Sequence, residues 1–289
     1  MRIDSHQHYW KIDRNDYGWI TPEIPKLYRD FLENDLKPHL KKNKIDKTIV
    51  VQAAPNIEET EFILSLSNES ETIAGVVGWI DLENPSYKEH LNRFRQNPKF
   101  VGMRVMIQDM PDENKILETD YLQAFSYFSE LDLPVDLLVR SDQLPAVLEL
   151  LKQVPIRGVI DHIAKPEIKQ GKMEPWKRQM EQIAQYPNIY CKLSGMVTEA
   201  DQMNWKKEDF VAYVHHIVQV FGKNRVMFGS DWPVCLLAAS YDQVYELLKD
   251  ILTGRLTEEE EAKIFGVNAF EFYKLKPTNM QLWSDCSEI

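Results

Sequence analysis

Short runs of apolar and β-branched residues punctuate the chain at 2–5, 47–53, 73–80, 100–107, 134–139, 157–163, 188–194 and 225–230. Most are nearly continuous rather than alternating, as strands buried on both faces of a parallel sheet must be. Between them, segments 59–70, 119–131, 141–154, 174–186, 207–222 and 240–252 place apolar residues three and four apart, the stripe of a helix packed on a core. Gly222 reads as a helix stop, and Asp142 and Ser240 as helix starts. Eight strands alternating with helical patterns, at spacings of roughly 23 to 45 residues, predict a single-domain (β/α)8 barrel. A doubly wound open sheet is the runner-up, yet no glycine-rich phosphate loop follows any of the strands. Segment 9–43, rich in aromatics and proline, interrupts the rhythm between strands one and two and is expected to lid or line the barrel mouth. The barrel pattern runs over 1–275, and 276–289 reads as a C-terminal extension.

Composition narrows the partners. The 289 residues are 44% hydrophobic and 27% charged, enough to bury a sizeable core. A net charge of −11 without any basic stripe argues against nucleic acid. Three scattered cysteines, Cys191, Cys235 and Cys286, make neither a disulfide framework nor a zinc ribbon. No stretch approaches the roughly 20 apolar residues that span a bilayer, and no basic and apolar leader opens the chain. The expectation is a cytoplasmic protein with a small-molecule partner and no membrane partner. Its oligomeric state is left open, a homo-oligomer included.

In such a barrel the active site lies at the C-terminal ends of the strands. Side chains two apart on a strand share a face, so His6 and His8 in "RIDSHQH" leave strand one together, aimed at one point. Strand two adds Gln52, strand three Trp79 and Asp81, strand four Arg104 with Asp109 beyond it, and strand five Arg140. Strand six delivers Asp161, His162 and Lys165 in "DHIAKP", strand seven Lys192 and Ser194 in "CKLSG", and strand eight Asp231 and Trp232 in "GSDWP". Taken singly, each has a plain structural reading: His162 as a hydrogen-bonded core histidine, Lys192 as a solvated side chain, Asp231 as a helix cap. His39, His90, His215 and His216 are read as surface or core residues. Packing does not account for ionisable groups gathering at one end of nearly every strand, because unpaired buried charge costs several kcal/mol.

The motifs "DSHQHYW", "VGWIDL", "GMRVMIQD", "DLLVR", "DHIAKP", "CKLSG" and "MFGSDWPVC" occur in the order and spacing of the amidohydrolase superfamily, and the chain most resembles its sugar-lactonase branch. The resemblance runs to about residue 275, through "IFGVNAFEFYKL", which is similar to the closing helix of that family. It implies a distorted (β/α)8 TIM barrel and hydrolysis of a cyclic ester. It also implies that His6, His8, His162 and Asp231 hold a metal or act directly on substrate. The usual strand-five ligand is missing from "VDLLVR", which argues against a binuclear site. One divalent metal, zinc by preference, or catalysis by the same imidazoles without one, are both compatible with the pattern.

For a sugar-acid 1,4- or 1,5-lactone such as L-fucono- or L-rhamnono-lactone, Asp231 is the candidate base for water. His6, His8 and His162 would be ligands, donors or proton carriers. Arg104 and Lys192, with Arg140 behind them, would bind hydroxyls, the oxyanion or the product carboxylate. Asp81 and Asp109 suit ring hydroxyls, and Trp10, Trp79 and Trp232 would cover an apolar ring face. Two other readings compete: a metal-dependent decarboxylase or hydratase of a small acid, and a non-catalytic barrel that binds a sugar or lactone.

Overall fold

The computed structural model describes residues 1–276 of the chain. Eight parallel strands follow one another in chain order around a single sheet: β1 (Ile3–Gln7), β2 (Lys47–Val51), β3 (Ile73–Gly78), β4 (Phe100–Met106), β5 (Val135–Leu138), β6 (Gly158–Ile160), β7 (Ile189–Leu193) and β8 (Val226–Phe228). Each lies within, or two residues beyond, the run that predicts it. Their residues are almost all buried, as a sheet covered on one face by helices and filled on the other requires. The fold is the expected (β/α)8 barrel in one domain.

Among the described residues eleven α-helices accompany the sheet: α1 (Glu33–Asn43), α2 (Ile57–Glu69), α3 (Tyr87–Phe94), α4 (Thr119–Glu130), α5 (Leu144–Gln153), α6 (Trp176–Ile183), α7 (Met196–Glu199), α8 (Lys207–Phe221), α9 (Tyr241–Leu252), α10 (Glu258–Ala262) and α11 (Asn268–Phe272). The stripe predicted over 207–222 is the buried face Phe210, Tyr213, Val214, Ile217 and Phe221 of α8, and Gly222 ends that helix. Ser240 caps α9 by accepting from the Gln243 amide at 3.2 Å, whereas α5 begins at Leu144, so Asp142 lies in the turn before it. Segment 9–43 divides in two. Its last third is α1, the helix that returns the chain to β2, so the true excursion ends at Leu32. That excursion is pinned by backbone hydrogen bonds in both directions between Trp10 and Phe31, at 2.9 and 3.0 Å.

Two features prepare the site. At the N-terminal end of the barrel, Ala269, Phe272 and Tyr273 pack on Ile3, Ile49, Val77, Val159 and Met227 and plug the interior. At the other end, the seam between β8 and β1 is sewn by residues just beyond the strands. The Asp231 amide donates to the His6 carbonyl at 2.8 Å and the His8 amide to the Trp232 carbonyl at 2.7 Å. Asp4, buried below them, accepts from the amides of His6 at 3.1 Å and Ser230 at 2.9 Å. Among the described residues no helix is long and apolar enough to cross a membrane. The extension from residue 277 onward lies outside the described residues.

Candidate active site

The mouth of the barrel holds a cavity of about 520 Å³ walled by His8, Arg104, Asp109, His162, Lys165 and Asp231, with Asp16, Gly18 and Trp19 supplied by the excursion after β1. A smaller cavity of about 260 Å³ shares Pro55, Arg104, Met106 and Asp109 with it and adds Trp79, Asp81 and Glu83.

Its floor is built from both ends of the seam. His6 and His8, brought to one face by strand alternation, sit with ring centroids 4.9 Å apart, and His162 lies 4.4 Å from His6. Asp231 faces all three: its Oδ1 is 3.2 Å from His8 Nε2, 3.8 Å from His6 Nε2 and 3.9 Å from His162 Nε2. The His8 Nδ1 lies 2.7 Å from the Val51 carbonyl, which only accepts, so this nitrogen carries the proton. In a neutral His8 the lone pair of Nε2 then meets a carboxylate oxygen, two acceptors that call for a proton or a cation between them. His6 Nε2 is buried with no hydrogen-bond partner among the described residues. One ligand atom each from His6, His8 and Asp231 falls within 4.8 Å of the others, and His6, Asp161 and His162 form a second such group. The donor set therefore fits a divalent cation.

Burial sets the charges here. Desolvation holds His6 and His162 well below the usual imidazole range, so both are neutral near pH 7. For Asp231 burial works upward, but the adjoining His162 and His8 imidazoles and the Lys165 ammonium outweigh it, and its carboxyl stays below the usual 3.8.

Beneath the floor lies a second charged layer. Lys192 is wholly buried, paired with Asp136 of β5 and, at 3.0 Å, with Asp161, while its Nζ lies 3.1 Å from His6 Nδ1. Tyr273, rising from the plug, donates to Asp136 at 2.8 Å. One ammonium serves two carboxylates. Burial pushes Asp136 up to about 6, whereas Lys192 and His6 hold Asp161 well below the carboxylate range in spite of its burial. Arg104 contacts Asp161 at 3.6 Å, donates to the Gln52 carbonyl and forms part of the cavity wall.

The sequence candidates thus fall into three groups. His8, His162, Asp231, Arg104 and Asp109 line the main cavity, with His6 directly below. Trp79 and Asp81 line the side cavity instead. Lys192, Arg140, Trp10 and Trp232 line neither: Lys192 lies in the buried layer, and Arg140 reaches out to the Gln108 carbonyl and to Asp142 at 3.2 Å. Trp232 packs edge-on against Phe31 at 5.3 Å and Tyr9 at 6.1 Å, and Trp10 packs against Tyr17, Trp19 and Phe31. Asp136 and Asp16 were not anticipated. An aspartate inside the apolar run "PVDLLV" is a signal of a buried ionic partner, whereas nothing in the sequence around Asp16 marks it.

Two backbone devices aim these side chains. Asp231 has φ 56°, and His162, Ile163, Ala164 and Lys165 have φ 53°, 48°, 61° and 47°, so five of the nine described non-glycine residues in the left-handed region stand at this one rim. A left-handed stretch costs roughly 1–2 kcal/mol per residue. It is held by the Trp176 indole, which donates to the Ile163 carbonyl at 2.7 Å, and by Ser194, 2.8 Å from His162 Nδ1.

Similarity to known proteins follows this geometry. The family model described as amidohydrolase matches residues 3–275. An L-fucono-1,5-lactonase of Burkholderia ambifaria is 36% identical over 282 residues, spanning 95% of this chain and 96% of that protein. An L-rhamnono-gamma-lactonase of Scheffersomyces stipitis is 28% identical over 202 residues, 60% of this chain and 59% of its own. A crystal structure of an amidohydrolase from Burkholderia multivorans with bound zinc superposes with a TM-score of 0.91 at 35% identity, covering 96% of this chain and 100% of that one.

Proposed function

This chain belongs to the amidohydrolase family, and from that premise we propose that it hydrolyses the lactone of a sugar acid. The reading is carried by the placement of Asp231, a buried carboxylate below its usual pKa, on the floor of a sugar-sized cavity among three imidazoles. The names of the lactonase relatives support the same substrate class.

Asp231 accepts a proton from water as the oxygen attacks the ester carbonyl carbon. The tetrahedral centre places negative charge on the former carbonyl oxygen, where fixed donors have their largest effect. As it collapses, the bond to the ring oxygen breaks, and the proton held by Asp231 passes to that oxygen. The product is an open hydroxy acid, which ionises and releases acid to solution. A divalent cation held by His6, His8 and Asp231, with His162 beside it, would supply Lewis acidity toward the carbonyl oxygen. Val51 fixes the orientation of His8 and Ser194 that of His162, and desolvation keeps His6 and His162 neutral and able to ligate. Arg104 and Asp109 hold ring hydroxyls from the β4 side.

The test is acid release on a panel of sugar lactones including L-fucono-1,5-lactone and L-rhamnono-1,4-lactone, using chelator-treated protein with and without zinc. Turnover in either condition supports the reading; turnover only with zinc makes the histidines ligands. Asp231→Asn should lower kcat by about 100- to 10,000-fold. No acid from any lactone sinks the proposal and moves a decarboxylase reading ahead.

A further inference from the structure

We infer that Lys165 is a catalytic residue of this site: its ammonium receives the ester carbonyl oxygen as it becomes an oxyanion, then holds the carboxylate of the opened acid. The inference rests on the lactonase reading and gives a role to Lys165, which the motif after strand six brings to the rim without one.

Three observations carry it. The left-handed turn after β6 is of the tight, three-residue kind, in which positions three apart eclipse one another. His162 opens the turn and Lys165 closes it, the Lys165 amide donating to the His162 carbonyl at 2.9 Å, so both side chains wall the main cavity. Ile163 and Ala164 between them are wholly buried in the core. A right-handed turn, or one made with glycine, would reverse the chain more cheaply, but the sequence instead keeps four side-chain-bearing residues in an unfavourable region. The arrangement gains the presentation of two polar groups, not packing alone.

Second, Lys165 is the one cation of the main cavity without a protein partner. Of the lysine and arginine side chains that line it, Arg104 donates to the Gln52 carbonyl and faces Asp161 at 3.6 Å, whereas the Lys165 ammonium makes no hydrogen bond or ion pair with any described residue. Of the other cations at this end of the barrel, Lys192 is locked below the floor and Arg140 turns out to Asp142. Third, Lys165 and Asp231 wall the same cavity, and the charge of the ammonium adds to the influences that hold the Asp231 carboxyl below its usual range. A free ammonium on the wall it shares with the base is placed for the negative charge that develops on the carbonyl oxygen.

The experiment compares wild type with Lys165→Met, Lys165→Arg and Lys165→Gly on the lactone that wild type opens fastest. Lys165→Met should lower kcat by about 100-fold or more with KM changed by less than about threefold, the mark of an interaction made in the transition state. Inhibition by the corresponding sugar acid should weaken about tenfold, and Lys165→Arg should restore part of both. Lys165→Gly should be as slow as the Met variant yet melt no lower than wild type, because glycine relieves the left-handed position. A kcat within threefold of wild type in Lys165→Met overturns the assignment. So does a slowed enzyme that still binds the acid normally, which would make Lys165 a donor to the leaving oxygen, or one whose loss of rate follows a fall in Tm. Wild type inert on the whole panel overturns the lactonase reading itself, and this assignment with it; an active wild type with an unaffected variant overturns the assignment alone.

Discussion

Lys192 shows how depth along a strand decides what a charged residue can do. Two positions further along, where the same face of the strand recurs, Ser194 reaches the cavity residue His162; at its own register the Lys192 ammonium is sealed between Asp136 and Asp161 with no exposure. Its effect on chemistry passes through His6 and Asp161, whose orientation and charge it fixes. Replacing it by Met leaves two buried carboxylates without their cation, a loss of the kind that costs about 3–5 kcal/mol. Lys192→Met should therefore unfold at markedly lower urea, and Lys192→Met with Asp136→Asn should recover part of that loss. Equal midpoints for the single and double variants would show that the buried layer is not a coupled unit.

At the scale of elements, the rim is positioned by close approach as much as by strand register. Gly195, just after β7, has φ 61°, and a Cβ added there would fall 2.5 Å from His162 Nδ1. Gly195→Ala must move that imidazole off Ser194 or distort the left-handed turn, so kcat should fall at least about tenfold together with a stability loss of about 1–3 kcal/mol. An unchanged kcat in that variant would mean that the place of His162 is immaterial. Much of this scale was legible in the sequence. Every strand announced itself as a short apolar run, and the His6–His8 pair followed from strand alternation alone. Helices α1 and α3 did not, because each buries only three residues in an otherwise polar stretch, and Pro38 sits within α1. The left-handed turn was invisible, since "DHIAKP" contains no glycine to signal positive φ. Trp232 and Arg140 were read as rim residues because sequence shows which strand end a side chain leaves, not whether it then turns inward, into packing or out to solvent.

Across the whole molecule the buried ionisable groups pull stability in opposite directions with pH, and one interval separates them. His6 and His162 are neutral in the fold, so below about pH 6.5 the unfolded chain binds protons that the native state refuses, and stability falls as the solution is acidified. Asp4 and Asp136, raised to about 6, act the other way, favouring the fold while protonated and losing that advantage as pH rises through about 6. Cys191 and Cys235 are raised above 9 and matter only in alkali. Between pH 6.5 and 8 the principal remaining group is Glu59 of α2, pushed up to about 8 by burial despite its hydrogen bond from the Ala53 amide and the nearby Arg104 and Arg14, with Asp16 adding to the rise. Its native form holds a proton that the unfolded chain releases above about 4.5, so the native state binds the greater number of protons and stability must decline as pH rises through this interval. One proton corresponds to about 1.4 kcal/mol per pH unit, giving a decline of about 2 kcal/mol from pH 6.5 to 8. Glu59→Gln, which keeps an acceptor for Ala53 and cannot ionise, should flatten that slope. Urea unfolding at several pH values in the interval reads the difference directly, and parallel slopes in the two proteins would mean that Glu59 is ionised in the native barrel after all.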